Sequence, residues 1–580
     1  MPSGGSCLEG AGLKGRSRRR FLQGALGTLS GSAAAAGLPR FPGRGSLQEN
    51  EGQGIWQGLL DRLGLHPKAD FGGGFVGQQV ERGHLLRDYR GTPAPSETRR
   101  SSVAIVGSGI AGLAAARALQ RAGIEDYQLF ELEDEAGGNS RGGVVGGFAC
   151  PWGAHYLPTP GPYAEDVAEL LTEYRLRREV GGKVEYDEMN LCHSPQERLY
   201  VAGGWQDGLL PVRGQDAAAF ADYRRFAELV AAANRPRAFT IPTASSRWDE
   251  TLAALDGQSF RQWLDAQQLG APALRWYLDY CCRDDYGAGI DHVSAWAGLH
   301  YFASRHGFTA PGQDSANSNE LDRDDLLTWP EGNAWLARRL AAPQRERTQT
   351  GALVLRVEEG RQQVELDVLD LPSRRLVRWT AQRVILATPL FVAARLLANP
   401  SSALLEAARS LPHAPWLVAN LHIDSPLIEH QGNAPLSWDN VLYGSPGLGY
   451  VDAMHQSTRP YADATVLTYY AALGNDPSAG RQALLERPWA QWCETVLADL
   501  EQAHPDIRRK VRQIELMRYG HAMAIPAPGV RGSAWLAALR EPRGRVAHAH
   551  SDLSAYSVFE EAYHWGLRAG EATAAALHRG

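Results

Sequence analysis

The stretch SVAIVGSGIAGLAAARALQRAG, residues 102–123, limits the fold more than any other part of this chain. Its first five residues, SVAIV, form a short apolar run suited to a buried parallel strand. Gly107, Gly109 and Gly112 follow with the spacing GxGxxG. LAAARALQRA is then built of strong helix formers and is stopped by Gly123. A second run, DYQLFEL, completes a strand–helix–strand unit. In such a unit Gly107 permits the tight turn out of the strand. Gly109 lets the backbone approach a pyrophosphate, and Gly112 lets the helix lie close on the sheet. The helix begins at the phosphates, where the backbone of Ser108, Ile110 and Ala111 offers N–H groups and the dipole favours negative charge. Glu131 stands nineteen residues after Gly112, at the end of the second strand and next to Leu132. Its carboxylate can accept from ribose hydroxyls and would repel a 2′-phosphate.

The spacing occurs a second time, in GGGFVG, residues 72–77. LHPKADF before it is no apolar strand, and no helix pattern follows, so this copy reads as a loop. One dinucleotide unit is expected, and a second one for NADPH is not.

LFELEDEAGGNSRGG, residues 129–143, resembles the second-strand signature of the flavin amine oxidase superfamily, which also holds phytoene desaturase-like and protoporphyrinogen oxidase-like enzymes. Gly137 and Gly138 match the pair that passes under the FAD in that superfamily. Asn139 stands where an arginine is usual, and Arg141 follows two residues on. PWGAHYLP, 151–158, resembles the segment beside the flavin, with Gly153 and Ala154 at the matching positions. TWPEGNAWLARRLA, 328–341, resembles the turn and helix that open the second FAD-binding stretch. GALVLRVEEG matches the strand whose backbone, at Val354, meets the adenine. RVILATP, 383–389, matches the strand returning to the core. AHAHSDLSAYSVFEEAYHWGLRAGEATAAAL resembles the closing segment, in which Asp552 would meet the pyrophosphate or ribityl chain and Phe559 would begin a helix aimed at the flavin.

The resemblance implies an α/β fold: a discontinuous Rossmann-type FAD-binding domain with an inserted α+β substrate domain. Residues 101–160, 326–400 and 535–580 would bind FAD. The insert would be helical over 161–325, where AEDVAELLTEYRL, AAAFADYRRFAELVAAANR, SFRQWLDAQQL and ALRWYLDYCCR carry helical patterns. Its sheet would lie in 401–534, from alternating runs such as WLVANLHID and ATVLTYYAAL. No cysteine stands where some members attach the flavin, so non-covalent FAD is expected.

The catalytic candidates follow from position in the same comparison. His155 and Tyr156 adjoin the flavin-side Gly153–Ala154. Many members place an oxygen-activating lysine on the strand that here carries Trp416. Tyr519, His521 and Tyr556 lie near the two positions that supply substrate-flanking aromatic rings. CCRDDYGAGIDHVSAWAGLHYF, 281–302, has two readings. Its acids could meet the distal ammonium of a polyamine, or it could be a helix–turn–helix with Asp291 as a cap and the acids in solvent. The activity implied is hydride transfer from an amine, with oxygen or a periplasmic electron carrier as the final acceptor. Desaturation of a C–C bond and a non-catalytic flavin-binding assembly role are the alternatives.

Residues 17–23, SRRRFLQ, followed by the Gly-broken apolar run GALGTLSGSAAAAGLP, read as a twin-arginine export signal over 1–40, with its export machinery as a partner. An extension, 41–100, would follow. The chain carries a formal charge of −6, and residues 1–40 hold six basic side chains against Glu9, leaving −11 elsewhere. That balance gives no support for nucleic-acid binding. The six cysteines include no CxxC and the histidines show no metal spacing, so neither a disulfide scaffold nor a metal site is expected.

Overall fold

The computed structural model describes residues 71–88, 94–305, 307–312, 325–429, 434–455, 457 and 463–579. The export signal and residues 41–70 and 89–93 of the extension lie outside them.

The run SVAIV forms the buried end of strand Glu97–Val106, with Val103, Ala104 and Ile105 fully shielded. It pairs in parallel with Tyr127–Phe130 on one side and Arg375–Leu386 on the other. Thr348–Gln349 and Val546–His548 extend the parallel set outward. Val364–Asp370 and Ala352–Glu359 add two antiparallel strands, so seven strands make this sheet. Helix Ile110–Arg121 lies on it with nine residues buried. The C-terminal helix Phe559–His578 lies on that helix in turn. Gly566 and Gly570 make the approach possible: a Cβ on either would stand 2.2 Å from Ala111 O or 2.6 Å from Ala115 O.

The second sheet has eight strands. In order they are Gly72–Val76, Val511–Ala524, His413–Ile423, Thr465–Ala472, Tyr450–Asp452, Asp439–Leu442, Glu197–Val201 and Gly204–Asp207. Strand His413–Ile423 is buried along nearly its whole length because both faces are covered. Trp416 and Val418 point with Tyr470 and Tyr519 toward the helical half of the insert. Leu417, Ala419 and Leu421 pack against helices Pro477–Glu486 and Trp489–Leu500. Each of these leucines contributes about 1.5–3 kcal/mol by leaving water.

Three expectations need correction. GGGFVG is not a loop: Gly72–Val76 is an edge strand, parallel to Val511–Ala524, and helix Val80–Asp88 follows it. Glycine carries no alternation of side chains by which such a strand could be read. The segment 161–325 is not only helical, since two hairpins turn at Gly181–Gly182 and at Ala202–Gly203. In CCRDDYGAGIDH the cap on helix Ala295–Ala303 is Ser294, while Asp291 pairs with Arg261.

Candidate active site

The two sheets enclose a cavity of about 480 Å³. One stretch of its wall is the turn from strand Glu97–Val106 into helix Ile110–Arg121. Gly107 has φ +96°, and a Cβ there would meet Ala387 O at 2.6 Å. Gly138, at φ +59°, passes so near Gly109 that a Cβ would stand 3.1 Å from the Gly109 Cα. Gly109 and Gly137 form a β-bridge, and no side chain caps the helix N-terminus. The first N–H groups therefore face the cavity unpaired by side chains. Glu131 accepts from both the backbone N–H (3.0 Å) and the hydroxyl (2.6 Å) of Ser108, which fixes its carboxylate beside the turn. Leu132 and Val354 continue this wall.

Gly153 and Ala154 follow, held by the Asn139 carbonyl, which accepts from Ala154 N–H at 3.0 Å. Asn139 itself lines the cavity and donates to Ala522 O at 2.7 Å. Arg141 does not line it: its Nε donates to Gly138 O from beneath, so it supports the glycine pair. Gly112 is also behind the wall, packed on Gly107.

Beyond Ala154 the wall turns aromatic. His155 stacks on Tyr470 (4.4 Å, 25°) and meets Tyr156 edge-on at 4.9 Å. Trp438 backs the group from behind the wall, 5.4 Å from His155. Burial holds the His155 pKa down to about 3, so this ring is neutral at physiological pH. Burial first, then Asp284 and Asp285, pushes the Tyr156 phenol up, and it too stays neutral. Among the described residues, Trp416 Nε1 and the Tyr519 hydroxyl line the cavity buried and without partners. His521 belongs to a different wall, 4.7 Å from Phe391, with its pKa lowered to about 4 chiefly by burial.

The acids of CCRDDYG face the cavity, so the solvated reading of that segment is overturned. Asp285 is held by Arg305 (3.1 and 3.3 Å) and by the Tyr556 hydroxyl (2.8 Å). Burial opposes the charge of Arg305 most strongly, but Asp285 together with Tyr556, Tyr301 and Tyr156 outweighs it and keeps the guanidinium ionised. Tyr556 lies behind the wall and acts through this pair. Asp284 makes no hydrogen bond or ion pair among the described residues. Burial, and then Asp285, raises its pKa to about 7. Arg305→Met should cost about 3–5 kcal/mol in urea unfolding by leaving Asp285 buried with its charge unpaired. Asp285→Asn in the same chain should restore most of it.

At the closing segment, Phe559 and Glu560 line the cavity where helix Phe559–His578 starts without a side-chain cap. Burial raises Glu560 to about 7. Asp552 also lines it, but its carboxylate is committed inward. It accepts from Leu390 N–H at 2.9 Å and lies 3.1 Å from His413 Nε2. These partners fix the carboxylate where Asp552 meets the cavity.

These walls fit an FAD. The glycine cradle is space that side chains would fill, two uncapped helix N-termini face it, and orphaned donors remain on Trp416 and Tyr519. Sequence reasoning missed Arg305, Tyr470, Trp438 and His413. They come from segments far apart in the chain, and none sits in a spaced motif. Among the described residues no cysteine lines the cavity, no helix is long and apolar enough to cross a membrane, and no group of His, Cys, Asp and Glu is placed to hold a metal.

Residues 110–573 match the family model for flavin containing amine oxidoreductase. Putrescine oxidase bound to putrescine has a similar structure, with a TM-score of 0.58 at 19% identity over 83% of this chain and 100% of that one. Cyclohexylamine oxidase from Brevibacterium oxydans gives 0.58 at 20% identity, over 83% and 99%. At these identities the likeness establishes the fold. Tryptophan 2-monooxygenase of Allorhizobium ampelinum is 39% identical over 67 residues, which is 10% of this chain and 9% of that enzyme. The chain thus matches less than a tenth of that relative's length.

Proposed function

This chain belongs to the flavin-containing amine oxidoreductases and is an FAD-dependent oxidoreductase, and from that premise we propose that it oxidises a polyamine. The observation that carries the substrate class is the Asp284 carboxylate, which faces the cavity without a partner among the described residues while its neighbour Asp285 is held by Arg305. Asp439, behind the lining residues and beside Trp438, is a second acid whose pKa burial and Asp284 both raise. An ammonium is the group that would relieve both.

Bound FAD supplies the two-electron acceptor for a hydride from the carbon next to nitrogen. The Gly107–Ala111 turn would hold its pyrophosphate, Glu131 its ribose and the Val354 backbone its adenine. Gly137–Gly138 and Gly153–Ala154 would run along the rest, without a covalent link. His155, Tyr470 and Tyr156 exclude water and align the substrate chain. Asp284 takes a distal ammonium, while the reacting nitrogen must arrive neutral because its lone pair drives hydride loss. The oxidised product is an imine that water hydrolyses.

The chain has four lysines, Lys14, Lys68, Lys183 and Lys510, and neither Lys183 nor Lys510 lines the cavity. This favours a periplasmic electron carrier over oxygen as the final acceptor. Export by the twin-arginine route is part of the same proposal and rests on SRRRFLQ alone. A protein loaded with FAD in the cytoplasm would need a route that carries folded chains.

Anaerobic titration of the purified protein with a panel of mono-, di- and polyamines tests the reading. Flavin absorption near 450 nm should bleach with a polyamine. Flavin bands that no amine moves would sink it and point to C–C desaturation instead.

A further inference from the structure

The walls of the cavity include a helix that lies wholly upstream of the family match and of the glycine turn. Gly83 and Leu86 line it from helix Val80–Asp88, whereas the match begins at residue 110. The segment is tied at both ends. Gly72–Val76 is hydrogen-bonded to Val511–Ala524 of the substrate sheet, register Gly72 to Gln513 through Val76 to Met517. Phe75 lies beneath the Arg518 guanidinium, 3.7 Å from ring centre. Gly77 makes the turn between strand and helix at φ +83°.

The helix then crosses to the nucleotide sheet. Arg82 Nη1 donates to Leu132 O at 3.2 Å, the residue after the ribose-side Glu131, and to Asp134 at 2.8 Å. Leu85 and Leu86 pack on Leu353 and Leu369. At the helix C-terminus Arg395 donates to Leu86 O (3.2 Å) and Arg87 O (2.7 Å), satisfying carbonyls that a helix end leaves free. Arg395 belongs to helix Leu390–Leu396, whose Val392 and Leu396 line the same end of the cavity.

We propose that residues 72–88 are a clasp over the adenosine half of FAD, fastened to both sheets, and that this clasp sets how long the cofactor stays bound. The inference rests on the FAD reading and adds a wall to that site. A dinucleotide lying between Glu131 and Val354 can leave past this helix only when one fastening opens. The affinity is therefore expressed mainly in the release rate. The clasp also buries adenosine surface that the glycine turn alone would leave in water.

The test uses the full chain loaded with FAD, following flavin fluorescence after dilution, with ADP as a probe of the adenosine end in the apoprotein. Arg82→Ala combined with Arg395→Ala unfastens the helix and should speed FAD release by about tenfold or more. It should also reduce the rise in Tm that ADP confers. Gly83→Phe is a second variant. A Cβ on Gly83 meets nothing within 4 Å, so the fold should accept it while the ring occupies the rim where adenosine lies. It should weaken ADP and FAD alike. Arg178→Ala, an exposed change in the hairpin Arg177–Tyr186 and outside the clasp, is the control and should alter neither. Release rates and ADP shifts that stay at the wild-type value in both Arg82→Ala/Arg395→Ala and Gly83→Phe would overturn the clasp. A wild-type chain that binds no FAD at all would instead sink the functional reading beneath it.

Discussion

Gly112→Ala is expected to damage the fold, and Gly109→Val to leave the fold intact while abolishing FAD binding. A Cβ on Gly112 would stand 2.0 Å from Gly107 O and 3.3 Å from Ala387 Cβ. The first of these is backbone, so helix Ile110–Arg121 would have to lift from its turn. We expect a loss above about 3 kcal/mol in denaturant unfolding, in line with overpacked sites that cannot relax. Gly109 differs in every respect that matters. Its φ of −67° suits any residue, and a Cβ would rest 3.8 Å from the Gly138 Cα, an ordinary contact. The valine methyls would instead occupy the cavity where a pyrophosphate must approach the backbone. Tm of the apoprotein should move by no more than about 2 °C, while FAD affinity falls by about a hundredfold or more. A yellow, FAD-loaded Gly109→Val protein would place the pyrophosphate elsewhere.

The second large effect is at Asp284. Asp284→Asn should raise KM for a diamine by about a hundredfold, the scale of losing a desolvated charge partner, and change kcat little. A monoamine of similar length should barely notice the change. The pH dependence gives the sign. With its pKa raised to about 7, Asp284 is protonated and cannot hold an ammonium below that pH. Below pH 7, kcat/KM for the diamine should therefore fall about tenfold per unit more steeply than for the monoamine, whose limb reports only the neutral reacting nitrogen, and Asp284→Asn should remove that extra steepness. Stability moves the opposite way. The folded chain binds a proton here that the unfolded chain has lost above about pH 4, so this contribution declines as pH rises toward 7. Above pH 7 the Asn variant should be the more stable protein. An unchanged KM ratio between diamine and monoamine would remove Asp284 from substrate recognition.

Much of the nucleotide end was readable because its signals are local. Gly107, Gly109, Gly112 and Glu131 answer to one turn and its two strands, and spacing along the chain fixes them. The substrate end was not readable in the same way. His155 was visible as a neighbour of Gly153, but the Tyr470 ring on which it stacks lies more than three hundred residues away. Asp284 and Asp285 were visible as a pair of acids. Whether they met solvent depended on Arg305, Tyr556 and the roof formed by His413–Ile423. The edge strand Gly72–Val76 was hidden for another reason: its partner is Val511–Ala524, and a glycine run shows no pattern of its own. Local chemistry is written in order along a sequence, whereas a buried polar pair is decided by what tertiary packing lays over it.

Helix Ile110–Arg121 has its outer face covered by helix Phe559–His578, through the close approach at Gly566 and Gly570. During synthesis these partners leave the ribosome some 450 residues apart. At about 5–20 residues per second, the glycine turn waits tens of seconds with an apolar helix exposed behind it. The nascent chain cannot build a finished cofactor site in that interval and is open to misassociation throughout it. Cofactor capture is therefore a post-translational event.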